Sequence, residues 1–233
     1  MKFSPPLTRA TLLKRYKRFL ADVRFDDGSK TTAHCANPGS MKGMAEPGST
    51  VWLSKSDNPK RKLAWSWELV DVGSSIVGVN TNRPNALVAS AIEAGDIPEL
   101  AGYTSLRREV KYGQNSRIDI LLETSDLPPA YVEIKSVTLS RTPGLAEFPD
   151  AKTVRGAKHM AELAEMAKAG HRAAVFFLVQ RSDCTKMSPA TDIDPNYAKN
   201  LRDAVNAGVE VLCYSCKITP NGIEIDRALE TEI

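Results

Sequence analysis

Asp119, Glu133 and Lys135 are the residues of this chain whose types and spacing could do chemistry together. Glu133 and Lys135 stand two apart in Tyr131-Val132-Glu133-Ile134-Lys135-Ser136-Val137, a segment of strand character. Residues i and i+2 of a strand share a face, so the two side chains emerge together, about 6.5–7 Å apart along the chain. Asp119 lies in a second strand-like segment, Ser116-Arg117-Ile118-Asp119-Ile120-Leu121-Leu122, among apolar neighbours. A carboxylate placed there is costly to bury without a metal ion or a cation as partner. Two carboxylates that hold a divalent ion, with an ammonium beside them, meet the needs of phosphodiester cleavage. Asp119 and Glu133 would bind Mg²⁺ or Mn²⁺, hard ions that take oxygen donors and keep several waters. Lys135 would orient or help deprotonate the attacking water. A structural Glu–Lys or Asp–Lys pair has the same spacing, and spacing alone does not choose between them.

A second set of residues suits a polyanion. Residues 1–30 carry eight Lys or Arg, Arg15 and Arg18 among them, against Asp22, Asp26 and Asp27. Lys55, Lys60, Arg61 and Lys62 precede Trp65 and Trp67. Basic residues interleaved with aromatics fit a nucleic acid whose bases can stack, with a solvated charged surface as the plain alternative. Arg155, Lys158 and His159 fall in the first turn and a half of an expected helix, where the helix dipole favours phosphate. The net charge of +3 does not by itself require such a partner.

The elements that must position these groups come in two textures. Up to about residue 82 the chain reads as short strands joined by turns: residues 17–25, 30–36, 50–55, 63–70 and 75–79, with Asp26-Asp27-Gly28-Ser29 and Asn37-Pro38-Gly39-Ser40 between them. That pattern predicts a small β-barrel of the oligonucleotide-binding type over residues 1–82. Residues 83–233 alternate instead. A helix over 85–94 ends at Gly95, three strands follow over 106–110, 116–122 and 130–137, and a helix over 155–169 leads to the apolar strand 172–179. A helix opened by Pro195, a strand over 209–214 and a hairpin across Pro220-Asn221-Gly222 complete the chain. The crossover from 137 to 172 demands parallel pairing, and the resulting mixed α/β order is that of a restriction-endonuclease-like core of the PD-(D/E)XK type.

Composition sets the outer bounds. Apolar content of 42% and charged content of 25% describe an ordinary globular protein. The longest apolar run, residues 173–179, is too short for a membrane span, and the N-terminus lacks a secretory apolar core, so the expectation is a cytoplasmic protein with no membrane partner. Cys213-x-x-Cys216 has no second ligand pair to complete a zinc site, and the four cysteines are expected to be structural thiols.

Taken together, several stretches resemble one bacterial and archaeal family, the sugar fermentation stimulation protein A family. They are Ala33-His34-Cys35-Ala36-Asn37-Pro38-Gly39-Ser40-Met41, Asn115-Ser116-Arg117-Ile118-Asp119-Ile120-Leu121-Leu122, residues 131–139, and Phe148-Pro149-Asp150-Ala151 with Arg155-Gly156-Ala157-Lys158-His159. The resemblance covers essentially the whole chain. It implies a barrel followed by a nuclease-like domain, with Asp119 and Glu133 as metal carboxylates and Lys135 as the catalytic-type lysine. It also implies DNA binding and a role in regulating sugar metabolism, maltose in particular. Many nuclease-like relatives add a carboxylate from the first helix, and here Ala89 and Ser90 stand at that place, with only Glu93 nearby. Cleavage, regulation without cleavage, and action on a sugar phosphate stay open as activities. RNA stays open as a partner and a dimer as the assembly.

Overall fold

The computed structural model describes residues 1–113 and 116–233; Asn115, the first residue of one resembling segment, lies outside the described residues. Five strands, β1 (Thr8–Tyr16), β2 (Leu20–Phe25), β3 (Lys30–His34), β4 (Thr50–Lys55) and β5 (Trp65–Asp71), close into a barrel. They run in the order β3-β2-β1-β4-β5, and a parallel contact between His34 and Ser66 joins β3 to β5. A short strand β6 (Ile76–Gly78) pairs antiparallel with β5. Leu12, Val23, Ala33, Leu53 and Trp67 fill the interior with the other inward-facing residues, as alternation on a half-buried strand requires.

The first strand departs from the sequence expectation. Residues 17–25 are a turn plus β2 rather than one strand, and the basic segment before them is β1, the strand that β2 and β4 flank. Its inward side chains Ala10 and Leu12 are few, and a register shift between Leu12 and Lys14 breaks the alternation that would have marked it.

The remainder is a six-stranded mixed sheet between helices. Its strands are β7 (Ser105–Tyr112), β8 (Ser116–Glu123), β9 (Ala130–Val137), β12 (Arg172–Val179), β14 (Glu210–Thr219) and β15 (Gly222–Ala228). They lie in the order β15-β14-β12-β9-β8-β7, with β9, β12 and β14 parallel. The restriction-endonuclease-like α/β order read from the sequence is therefore the observed one. Helix α1 (Pro84–Ala94) packs on one face with Ile120, Val132, Phe176 and Leu178. Helices α2 (Val154–Lys168) and α3 (Pro195–Asn206) cover the other with Val175, Phe177 and Val179. Strand β12 is thus buried on both faces, which its continuous apolar run foretold.

A third sheet was not foreseen. Strands β10 (Leu139–Thr142), β11 (Gly144–Phe148), β13 (Cys184–Pro189) and β16 (Glu230–Thr231) form it in the order β10-β11-β13-β16. These strands are short and carry polar residues; β11, β13 and β16 pair across long separations, and the local β10–β11 hairpin is broken by a register shift, so no local periodicity announces them.

The barrel is tied to the α/β unit at several points. Ser74 Oγ donates to Asp183 Oδ2 at 2.6 Å, and Gly78 N to Gln180 O at 3.0 Å. The chain start also crosses over, since Met1 N and Phe3 N donate to Ile223 O and Asn221 O.

Candidate active site at the fork between two strands

The ladder between β8 and β9 runs Leu122–Ala130, Leu121–Tyr131, Ile120–Val132 and then stops. The next amide of β9 that would need a partner on this edge is that of Ile134, and Asp119 supplies it: Ile134 N donates to Asp119 Oδ2 at 2.7 Å. A carboxylate therefore replaces the backbone acceptor, and the two strands part around it. Asp119 Oδ1 accepts a second hydrogen bond, 2.7 Å from Asn85 Nδ2 in the first turn of α1. Burial, with the charge of Glu133 added, pushes the Asp119 carboxyl up to about 6, against the pull of the Ile134 amide and of Lys135.

Glu133 and Lys135 do share a face. Lys135 Nζ donates to Glu133 Oε1 at 2.7 Å, and both residues are buried, Glu133 to 3% exposure. The same Oε1 accepts from Nδ1 of His159 on α2. Arg155 Nε lies 3.3 Å from the other ring nitrogen, Nε2, so the ring bridges the arginine and the carboxylate. Burial works to raise the Glu133 carboxyl, but the His159 and Lys135 hydrogen bonds and charges outweigh it and hold it below its usual range. Glu133 Oε2 is buried and has no hydrogen-bond partner among the described residues. Among those residues no group of three or more His, Cys, Asp or Glu is arranged to hold a metal ion.

Lys135 also lines a cleft of about 400 Å³ between the two units. Arg18, Asn37, Pro38 and Gly39 of the barrel form one wall, and Glu147, Phe148, Asp150, Lys152 and Thr153 the other. The acidic members are already engaged. Glu147 accepts from Arg141 at 2.6 and 3.0 Å, and Asp150 Oδ2 accepts from Met41 N at 3.1 Å. Lys135 is itself paired with Glu133, and the neutral donors on Asp150 leave its charge in place, so the lining carries both signs, with Arg18 and Lys152 facing Asp150. Helix α2 opens beside it, with Thr153 as N-cap accepting from Gly156 N at 3.0 Å.

The other residues singled out from the sequence fall in different places. Arg15 donates to the carbonyls of Arg18, Asn37, Gly39 and Ser40, so its hydrogen bonds shape the turn and the loop at the cleft wall. Arg18 is exposed and sits with Lys17 in a left-handed turn, φ 64° and 46°, which costs energy for residues with a Cβ. Lys60 and Arg61 are exposed in the β4–β5 connection, and Arg61 donates to Ser66 Oγ at 2.9 Å. Lys158 is exposed on α2, 3.6 Å from Glu162. Two expectations are corrected. His159 is 4% exposed and turned onto Glu133, because its helix face packs on the sheet, rather than turned out toward phosphate. Trp67 is a core residue whose Nε1 donates to Leu69 O at 2.9 Å, so of these two tryptophans Trp65 alone keeps a partly open ring, with Lys55 Nζ 5.5 Å above it.

Sequence reading missed Asn85. The first-helix contribution was sought at Ala89, Ser90 and Glu93, whereas Ala89 packs into the core and the helix reaches the site from its first turn. Pro84 at the helix start was the available signal, since it fixes where the first turn points.

Comparison with known proteins agrees with this architecture. The family profile described as SfsA N-terminal OB domain matches residues 13–79, and that described as Sugar fermentation stimulation protein RE domain matches residues 82–222. A sugar fermentation stimulation protein homolog of Paramagnetospirillum magneticum is 58% identical over 233 residues, covering 100% of this chain and 98% of the relative. One from Maricaulis maris is 56% identical over 233 residues, with 100% and 99% coverage. The structure of Pyrococcus furiosus SfsA in complex with Ca²⁺ superposes with a TM-score of 0.91 at 29% identity, covering 100% of this chain and 98% of that one. An oligonucleotide-binding-type barrel, a restriction-endonuclease-like α/β unit and relatives matched along their full length lead to one conclusion: this chain belongs to the sugar fermentation stimulation protein family.

Proposed function

We propose that this protein binds DNA and carries a metal-assisted phosphodiesterase site, with Asp119 and Glu133 as the metal-binding carboxylates and Lys135 as the lysine beside the scissile phosphate. The observation that carries this reading is Glu133: a buried carboxylate, held at Oε1 by Lys135 and His159, whose Oε2 is left without a partner. An orphaned buried carboxylate oxygen calls for a cation. Asp119 adds hard oxygen donors on the neighbouring strand, so the residues fit Mg²⁺ or Mn²⁺ by chemistry. The related Pyrococcus furiosus protein was solved in complex with Ca²⁺, another hard, oxygen-seeking ion. When bound, such an ion would acidify a water and offset charge on the phosphate.

The protein's own groups have separate tasks in this reading. Lys135 spends one of its three donors on Glu133 and lines the cleft, leaving donors for a phosphate oxygen or the attacking water. His159, bridging Arg155 and Glu133, holds the carboxylate in place. Arg18, Arg155 and Lys158, with Lys60 and Arg61 on the barrel, are assigned to the sugar–phosphate backbone, and Arg15 acts through the loop it supports. The division of labour places the barrel in residues 1–82 and the nuclease-like unit in 83–233, which the gap between Gly78 and Pro84 supports.

A second reading is a DNA-binding regulator of sugar-utilisation genes, those for maltose included, that does not cleave. It is favoured by Asp119, whose two oxygens are both already engaged, and by the closed Lys135–Glu133 pair. A cleavage assay on single- and double-stranded DNA with Mg²⁺ or Mn²⁺, beside EDTA and Lys135→Ala controls, separates the two. Metal-dependent cutting that vanishes in Lys135→Ala is expected. Intact but retarded DNA, with binding unchanged by Glu133→Ala, would leave the regulator.

A further inference from the structure

The strands that part at Asp119 leave two prongs. One is the end of β9, whose Ile134, Lys135 and Ser136 line the cleft. The other is the end of the β7–β8 pair, where Lys111 and Arg117 stand directly opposite each other in the ladder. Val110, Tyr112 and Ile118 pack with α2 and α3, so strand alternation turns Lys111 and Arg117 to the α1 side. Arg108 joins them there, because it stands opposite Ile120, which packs with α1. All three cations are exposed, and none makes an ion pair or a side-chain hydrogen bond among the described residues. The one acid of β7, Glu109, lies 3.5 Å from Asn85 Nδ2, so its carboxylate sits at the fork and pairs with none of the three. Like charges directly opposite on one face repel, with Cβ atoms about 4.5–5.5 Å apart. Lys111 and Arg117 also line a hollow of about 370 Å³ with Tyr112, Gly113 and Ser116. A solvated surface intersperses the two signs, whereas this edge gathers one sign and places it against itself.

We propose that Lys111 and Arg117, with Arg108 beside the fork, form a second phosphate site that holds the DNA backbone at a phosphate other than the one at Lys135. The inference rests on the DNA reading above and says where the strand runs: over the fork, from the cleft on one prong to the cation pair on the other. An oxyanion removes the repulsion between the two cations. Guanidinium and ammonium suit it together, the arginine forking onto two oxygens and the lysine acting as a point charge. Arg108 continues the row along the sheet edge, which fits a polyanion of repeating charge better than a single small anion. The contact is to the backbone, so it positions the strand and is indifferent to base sequence.

The test is binding in EDTA, where no metal-dependent cutting intervenes, read by fluorescence anisotropy across a salt series with a labelled hairpin duplex and labelled oligothymidylate. The full chain is compared with the double variant Lys111→Gln, Arg117→Gln and with Lys199→Gln, Lys217→Gln, which removes two exposed charges elsewhere. Binding of whichever form the parent prefers should weaken roughly tenfold in the first variant, and the slope of log affinity against log salt should fall by about 1.4–1.8. The second variant should keep the parent's slope. With the repulsion gone, the first variant should melt no lower than the parent. Equal losses in the two variants, an unchanged slope, or a lowered melting temperature in the first would overturn the proposal while leaving the DNA reading intact. Polyglutamate that displaces the bound oligonucleotide charge for charge would assign the pair to an acidic protein and overturn it too. A parent that retains neither oligonucleotide would overturn both readings.

Discussion

Asn85 on α1 donates its side-chain amide to Asp119 Oδ1 on β8 at 2.7 Å, so the first helix meets the strand fork through a donor rather than through another carboxylate. The amide stabilises a half-buried charge that Glu133 repels. Asn85→Ala should cost about 1.5–3 kcal/mol in denaturant unfolding, the usual range for a hydrogen bond to a charged group. Asn85→Asp places two carboxylates in contact and should cost more in EDTA, with much of the loss recovered by Mg²⁺ or Mn²⁺. An Asn85→Asp protein equally unstable with and without metal would argue against a cation site at the fork.

The Lys135–Glu133 pair is buried, so breaking it from one side should be worse than removing both charges. Lys135→Met alone leaves a carboxylate with only His159 beside it and should cost about 3 kcal/mol or more. The double variant Glu133→Gln, Lys135→Met should unfold closer to the parent. Additive losses in a double-mutant cycle would mean that the two groups are not coupled in solution.

Gly39 faces Asp150 across the junction of the two units. A β-carbon there would overlap the Asp150 carboxylate, 2.7 Å from Oδ1 and 2.8 Å from Cγ, the same carboxylate that accepts from Met41 N. Gly39→Ala should destabilise the protein by about 1–3 kcal/mol through this overpacking. Combined with Asp150→Ala it should cost less than the two single losses together, because the obstruction is gone. Strict additivity would place the strain elsewhere.

Asp183 gives the stability a foot at acid pH. Its carboxyl is held down at about 2 by the Arg181 guanidinium, with Ser74 of the barrel adding a hydrogen bond. A carboxyl whose folded pKa is depressed stabilises above its unfolded value, near 3.8, and that contribution is lost as pH falls toward 2. The loss should be about 1–2 kcal/mol, discounted because the pair is partly open to solvent. Urea midpoints between pH 5 and 3 should fall less steeply in Asp183→Asn, and parallel pH profiles would show that the bridge contributes nothing.

All four cysteines are free and buried. Burial pushes the Cys213 and Cys216 thiols up to about 12 and raises Cys35 and Cys184 as well. The native protein should be nearly inert to Ellman's reagent at pH 8 and release all four thiols once unfolded. Rapid labelling of the folded protein would contradict the buried placement.

Local pattern was enough for much of this protein. Alternation and turn residues announced most of the barrel, the apolar run at 172–179 announced a strand buried on two faces, and the i, i+2 spacing placed Glu133 and Lys135 on one face. Each of these depends on backbone periodicity, which the chain carries within a few residues. What only tertiary structure decided lies between distant segments. The charged, bulged β1 hid its inward Ala10 and Leu12, and the third sheet joins residues 139–148 to 184–189 and 230–231. Asn85 reaches Asp119 across 34 positions, and His159 reaches Glu133 across 26. A carboxylate's partner is chosen by distances of a few ångströms between segments far apart in the chain, because charge and desolvation act through space. Residue types could therefore name the acids and the lysine, but which neighbours hold them, and which oxygen stays open, was settled by packing.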